Sequence, residues 1–171
     1  LLRVAGGERE PGPGRAPHGV LEEHRVDVDE PEDREGVRVF ALDAGVLLMG
    51  EVGLIEPSDP RWRATVSTIG RELGHGGFLL RYSAADDFGK PQTAFLACTF
   101  WYIDALWRIG RTEEARALFE QVLAVRNRVG LLSEDVDART GDLWGNFPQT
   151  YSMVGIINCA MRLSRSWESV L

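Results

Sequence analysis

Residues 93–130, TAFLACTFWYIDALWRIGRTEEARALFEQVLAVRNRVG, decide the fold. The first half, Thr93–Gly110, is apolar on most faces; its only charges are Asp104 and Arg108, spaced i, i+4, and it stops at a glycine. A helix with no wet face must be covered by protein on nearly every side. The second half puts Ala115, Leu118, Phe119, Val122 and Val125 on one stripe opposite Arg and Glu. That spacing predicts a helix with one solvated face, capped by Thr112 and stopped by Gly130. The unit is therefore a buried helix followed by an amphipathic one.

The same pair recurs upstream. Residues 40–54, FALDAGVLLMGEVGL, are apolar nearly all round and too short to span a membrane, which predicts a second buried helix. In EPSDPRWRATVSTIGRELGHGG, residues 56–77, Asp59 is a good N-cap and Pro60 fits the first helical position. Trp62, Val66, Ile69 and Leu73 then recur at helical spacing until Gly74–Gly77 stop them. Between the two pairs, GFLLRYSAADDFGKPQ predicts a short extended piece at Phe78–Tyr82 and a polar loop. Downstream, PQTYSMVGIINCAMRLS predicts a third buried helix. The buried helices begin near Leu42, Phe95 and Thr150, a period of about fifty residues. Such alternation in an all-α chain fits a two-layer closed ring of helical hairpins, whose inner helices touch protein everywhere and whose outer helices keep one wet face. An ordinary helical bundle or solenoid also pairs helices.

Composition narrows the partners. Net charge is −7 and the only lysine is Lys90, so nucleic acid and anionic membrane surfaces are not expected ligands. No apolar run approaches the roughly 18 residues of a spanning helix, and the first residues lack the charged start and apolar centre of a signal peptide. A soluble, cytoplasmic chain is the expectation. Cys98 and Cys159 each lie inside an apolar helical pattern and are predicted as reduced core residues. Residues 1–39 mix Gly, Pro, Arg and Glu without an aromatic side chain or a sustained stripe, so an irregular, poorly ordered segment is expected there, ahead of a domain over 40–171. His18 and His24 in that segment have no neighbours that suit a base or a ligand.

Between the last two helical patterns runs VGLLSEDVDARTGDLWGNFPQTY, residues 129–151, carboxylate-rich at one end and aromatic at the other. Connections of this length in compact domains are more often functional than incidental, and Glu134 is the central candidate. Asp135, Asp137 and Gly141-Asp142 suggest a calcium loop, but the third ligand position falls on Arg139 and no bidentate Glu closes it. Ser133 and Ser152 have no histidine nearby for a nucleophilic triad. No metal and no cofactor are expected.

Five blocks taken together carry a family resemblance: ALDA at 41–44, Arg81-Tyr82 with the carboxylate-rich loop after it, CTFWYIDAL at 98–106, GLLSEDVD at 130–137 and GNFPQTYSMVGIINCAMRLS at 145–164. From Phe40 to about Trp167 the chain resembles the C-terminal part of the glucoamylase and trehalase family, glycoside hydrolase family 15. The resemblance implies an (α/α)6 barrel of twelve helices, of which this chain would hold about five. It also implies exo-acting hydrolysis, with inversion, of α-glucan oligosaccharides or trehalose to release glucose. Glu134 falls where the family keeps its general base. An inverting glycosidase needs one carboxylate to activate water on the face opposite the departing sugar, roughly 6.5 to 9.5 Å from a carboxylic acid that protonates the leaving oxygen. Arg81 and Tyr82 match the loop that holds the terminal glucose, the Arg through paired hydrogen bonds and the Tyr through its face and phenol. Asp86 or Asp87 would share that site. Lys90-Pro91-Gln92 departs from the more acidic loop of many members, which leaves glucan or trehalose open. Trp144 and Tyr151 are placed to stack on sugar C–H surfaces, whereas Trp101 and Trp107 are assigned to the core.

The family's general acid belongs to an earlier part of the barrel, and residues 1–39 contain no Trp-Glu-x-Arg-like stretch. This chain is therefore expected to be a fragment with a base and no acid, inactive alone, and aggregation-prone because an arc of helices would expose its inner faces. Two alternatives stand beside it. GRTEEARALFEQVL resembles one helix of a tetratricopeptide repeat and would imply a helical-repeat interaction module, although no period of about 34 residues repeats it. The other is a non-catalytic glucan-binding remnant. Convergence of Glu134, Arg81 and Tyr82 on one concave mouth separates a sugar site from a repeat module.

Overall fold

A computed structural model describes residues 42–87 and 89–164. The expectations for residues 1–39, including His18 and His24, lie outside the described residues. A 3-10 turn at Ala44–Leu47 leads into α1 (Leu48–Glu51), and α2 (Pro60–Leu73) follows. Next come β1 (Gly74–His75), β2 (Phe78–Leu79), β3 (Ala94–Phe95), α3 (Leu96–Arg108) and α4 (Thr112–Ala124). The order closes with β4 (Asp135–Val136), β5 (Leu143–Trp144) and α5 (Thr150–Leu163).

Local chemistry explains α2. Asp59 is extended, its carboxylate accepts the Arg61 N–H at 2.8 Å, and Pro60 supplies the first helical residue. Hydrogen bonds from the Arg61 side chain and backbone hold the Asp59 carboxyl down at about 2. Trp62, Val66, Ile69 and Leu73 are the buried stripe that the spacing predicts. Helix α3 is the centre of the fold, packed chiefly between α4 and α5 and touching α1 and α2 as well. Leu96, Ile103 and Leu106 of α3 are fully buried with Ile69, Val122 and Leu132, and each such side chain contributes about 1.5–3 kcal/mol on leaving water. Cys98 and Cys159 are free and buried, and burial pushes both thiols up to about 12. Asp104 of α3 accepts from Arg108 one turn on at 2.5 Å and pairs with Arg162 of α5, which also lies over the Trp107 ring.

Four expectations are corrected. The helix foreseen over 40–54 is short, and Met49, Val52 and Leu54 are exposed. Gly53 turns left-handed at φ 72 and Leu54 N–H donates to Met49 C=O, a helix-ending pattern that closes α1 early. Thr112 is the first residue of α4, not its cap, and the Arg111 side chain pairs instead with Glu114 in the first turn. Helix α4 also stops at Ala124, well before Gly130, because Asn127 Oδ1 accepts from the Val129 and Leu131 N–H groups and folds the chain into a turn. The third predicted buried helix, α5, exists but buries only Ser152, Cys159 and Leu163; Tyr151, Ile157 and Met161 are 72%, 58% and 74% exposed. No element of the described residues covers that face.

The fold is mostly helical rather than purely so. β1 and β2 pair as a small antiparallel hairpin, and only Phe78–Leu79 of the predicted extended piece forms strand. β3, β4 and β5 form a three-stranded antiparallel sheet with Phe95 opposite Asp135 and Asp135 opposite Trp144. The long connection 129–151 is therefore structured. Asp137, whose carboxylate accepts from the Arg139 backbone and side chain, makes the turn between β4 and β5. No helix among the described residues is long and apolar enough to cross a membrane.

Candidate active site

Glu134 sits immediately before β4, and its main chain is fastened on both sides. Its N–H donates to Asn146 C=O at 2.9 Å, and its C=O accepts from Leu96 N–H at 3.0 Å, at the first turn of α3. On either side, Gln149 N–H donates to Leu132 C=O and the buried Ser152 hydroxyl donates to Ser133 C=O at 2.7 Å. The strap carrying Glu134 thus hangs between the N-terminal ends of α3 and α5. Its half-buried carboxylate accepts on Oε2 from both the backbone N–H of Asn146, at 3.2 Å, and its side-chain amide, at 2.9 Å. The neighbouring Asp135 accepts from the Thr93 hydroxyl at 2.7 Å. Burial raises the Asp135 pKa, the Thr93 hydrogen bond pulls it back, and the charge of Glu134 raises it further.

Arg81 and Tyr82 follow β2. Arg81 C=O accepts from Ala44 N–H at 2.8 Å, and its guanidinium Nε lies 3.3 Å from an Asp43 oxygen. Asp43 uses its other oxygen to cap the 3-10 turn at Gly45 N–H, 2.6 Å away, so the ALDA segment holds Arg81 from behind. The Tyr82 hydroxyl donates to Asp86 at 2.5 Å, and that bond is the main reason the phenol is raised above its ordinary value. Asp86 and Gly89 exchange backbone hydrogen bonds at 3.1 and 3.0 Å, closing the tip of this loop.

These pieces line one cavity of about 460 Å³, walled by Arg81, Tyr82, Asp86, Lys90, Glu134 and Asp135, with Phe95 adding an apolar surface. That size lies in the range of small-molecule sites. Carboxylates that accept, a guanidinium and an ammonium that donate, and aromatic faces beside them suit a neutral polyhydroxylated ligand better than an anion or a lipid. Trp144 and Tyr151 are not part of this wall. Trp144 lies opposite Asp135 in the sheet and is 57% exposed. Tyr151 lines a separate cavity of about 180 Å³ between α3 and α5, together with Trp101, Asp104 and Arg162. Trp101 and Trp107 are half-buried and packed against the core. Asn146, Thr93 and Asp43 were not singled out by the sequence. Each acts through a partner at least twelve residues away, and no local pattern announces such a contact.

The mostly helical fold is shared with solved glycosidases. A wild-type glycosidase structure aligns over 72% of this chain and 36% of its own length, with a TM-score of 0.61 at 20% identity. A second glycosidase structure gives a TM-score of 0.62 at 21% identity over the same shares. Residues 32–161 match the family model of Glycosyl hydrolases family 15, and the chain belongs to that family. A trehalase of Thermoplasma acidophilum is 39% identical over 142 residues, covering 81% of this chain and 24% of the relative. A trehalase of Mycolicibacterium smegmatis is 36% identical over 158 residues, 87% of this chain and 24% of the relative. The chain spans about a quarter of the length of these curated relatives.

Proposed function

We propose that this chain carries the general-base half of the active site of an inverting, exo-acting α-glucosidic hydrolase, with trehalose as the preferred substrate over α-glucan oligosaccharides. Glu134 is the base, and Arg81 and Tyr82 hold the terminal glucose. The observation that carries the reading is the single cavity onto which Glu134, Arg81 and Tyr82 face from separate parts of the chain. The relatives named trehalase support trehalose over a glucan. Trp144 and Tyr151 stand outside that cavity and have no part in the proposed glucose pocket.

In the proposed step, Glu134 Oε1 takes a proton from a water molecule whose oxygen forms the new bond to the anomeric carbon. The glycosidic C–O bond breaks, and the leaving oxygen receives a proton from a carboxylic acid in a part of the relatives' length that this chain does not span. The products are two glucose molecules when trehalose is cleaved, one of them with its anomeric configuration inverted. Family membership displaces the tetratricopeptide reading. A glucan-binding remnant would bind the same sugars without turning them over.

The test is trehalose and maltooligosaccharide hydrolysis by the full-length protein and its Glu134→Gln variant. The expected loss in kcat is about two to four powers of ten, with an unchanged melting temperature. Near-normal turnover in Glu134→Gln would remove Glu134 from the mechanism. Binding of trehalose without glucose release by the native protein would favour the remnant.

A further inference from the structure

We infer that Asn146 is the positioning residue of Glu134, fixing which carboxylate oxygen meets the reacting water; the inference rests on Glu134 being the base. Asn146 makes three hydrogen bonds to Glu134 and to nothing else among the described residues: its C=O accepts from Glu134 N–H, while its N–H and its side-chain amide both donate to Oε2. A carboxylate with both donors on one oxygen has its side-chain torsions pinned, and the other oxygen is defined by elimination. Oε1 accepts no hydrogen bond among the described residues. It is the oxygen left for water in the cavity that Glu134 lines.

The residue before it makes the clamp possible. Gly145 has φ 78, a conformation that side chains with a Cβ rarely adopt, and a Cβ built there would sit 2.9 Å from Glu134 Oε2 and 3.1 Å from Glu134 Cβ. Only glycine lets the Asn146 backbone approach this closely. Placement of a base to within an ångström matters, since a misplacement of about 1 Å costs on the order of a hundredfold in rate. The amide side chain is distinct from the frame of the sheet, because its removal leaves the backbone bonds of residues 134 and 146 intact.

The experiment compares Asn146→Ala, Asn146→Asp and Glu134→Gln in the full-length protein with trehalose, reading kcat, KM and the melting temperature of each. Asn146→Ala removes one donor from Oε2 and is expected to lower kcat about 10- to 100-fold, with KM within about twofold of native. Asn146→Asp has the same shape but sets a carboxylate against Oε2, so its kcat should fall further than that of Asn146→Ala. It carries the test if the alanine variant melts early. Adding Asn146→Ala to Glu134→Gln should lower kcat no further, because the group being positioned is already gone. The inference is overturned if kcat in Asn146→Ala stays within twofold of native, if KM rises in step with the fall in kcat, or if Asn146→Asp outperforms Asn146→Ala. Turnover retained by Glu134→Gln would refute the functional reading itself. Turnover lost in Glu134→Gln but kept in both Asn146 variants would refute only the role of Asn146.

Discussion

Replacing Asp104 with alanine should destabilise the protein by about 2–3 kcal/mol without touching the cavity that Glu134 lines. The side chain is 11% exposed and lies between two guanidinium groups, Arg108 at 2.5 Å within α3 and Arg162 across on α5. Deleting one member of a fully buried ion pair costs about 3–5 kcal/mol, because an uncompensated charge stays behind. Here the arginine side chains keep 20% and 27% of their surface in water, and Arg162 retains the Trp107 ring 5.5 Å away, so part of that cost is recovered. Urea unfolding followed by tryptophan fluorescence measures the result; with a slope of about 1–3 kcal/mol per molar, the midpoint should drop by roughly 1 M. Arg162→Ala leaves Asp104 its partner Arg108 and should cost only about 1 kcal/mol. Exchanging all three residues for apolar ones of similar volume should be close to neutral, since desolvation is relieved together with the attraction. A midpoint unmoved in Asp104→Ala, or a triple exchange as harmful as the single one, would refute the account of Asp104 as a desolvated anchor between α3 and α5.

Two further outcomes follow from the packing and the charge of the same helices and strap. Gly155→Ala should lower the melting temperature even though alanine is the better helix former by about 1 kcal/mol, because its Cβ would lie 2.3 Å from the Phe100 ring and force α3 and α5 apart at a cost of about 1–3 kcal/mol. A variant that melts higher than native would mean that the two helices do not meet there. Asp135→Asn should gain stability relative to native as pH rises. The folded Asp135 binds its proton more tightly than the unfolded group at 3.8, so native stability is lost as pH climbs through the window above that value, and the full penalty persists beyond the folded value. Asparagine keeps an acceptor for Thr93 and has no proton to lose. Paired denaturation curves from about pH 3 to pH 7 measure this, and a stability difference that stays flat across that range would sink the argument.

What the sequence made legible was whatever residues decide locally. Asp59-Pro60 and the stripe from Trp62 to Leu73 announce α2 because cap and period lie within one helix. Helix α3 is legible for a similar reason, since a run without a wet face has to be central. The small sheets were not legible, because two-residue strands have no period, and β3 pairs with β4 across some forty residues. Asn127 looked like part of a charged helix end, yet its side chain competes with the helix for backbone N–H groups and wins. Within the site, the long loop pointed to Glu134, but its role and those of Arg81 and Tyr82 came from a resemblance over whole blocks. The Asn146 clamp lies twelve residues from its target and depends on Gly145 in a left-handed turn beside it, and spacing says nothing about that.

The two ends of α3 carry different burdens. Leu96, at its start, donates to the Glu134 carbonyl, so the N-terminal turn anchors the strap that holds the proposed base. Asp104 and Trp107, near its other end, engage Arg162 of α5, while Arg108 pairs with Asp104 within α3. Eight residues separate Leu96 from Asp104, about 12 Å along a helix axis. Through α5, a perturbation at Asp104 reaches Glu134 by way of Ser152, whose buried hydroxyl ties the first turn of α5 to Ser133. That route predicts an order of severity. Loss of the Asp104 anchor lowers stability first and reaches the strap only when α5 shifts, whereas loss of the Ser152 hydroxyl touches the strap directly while most of the α3–α5 contact stays in place.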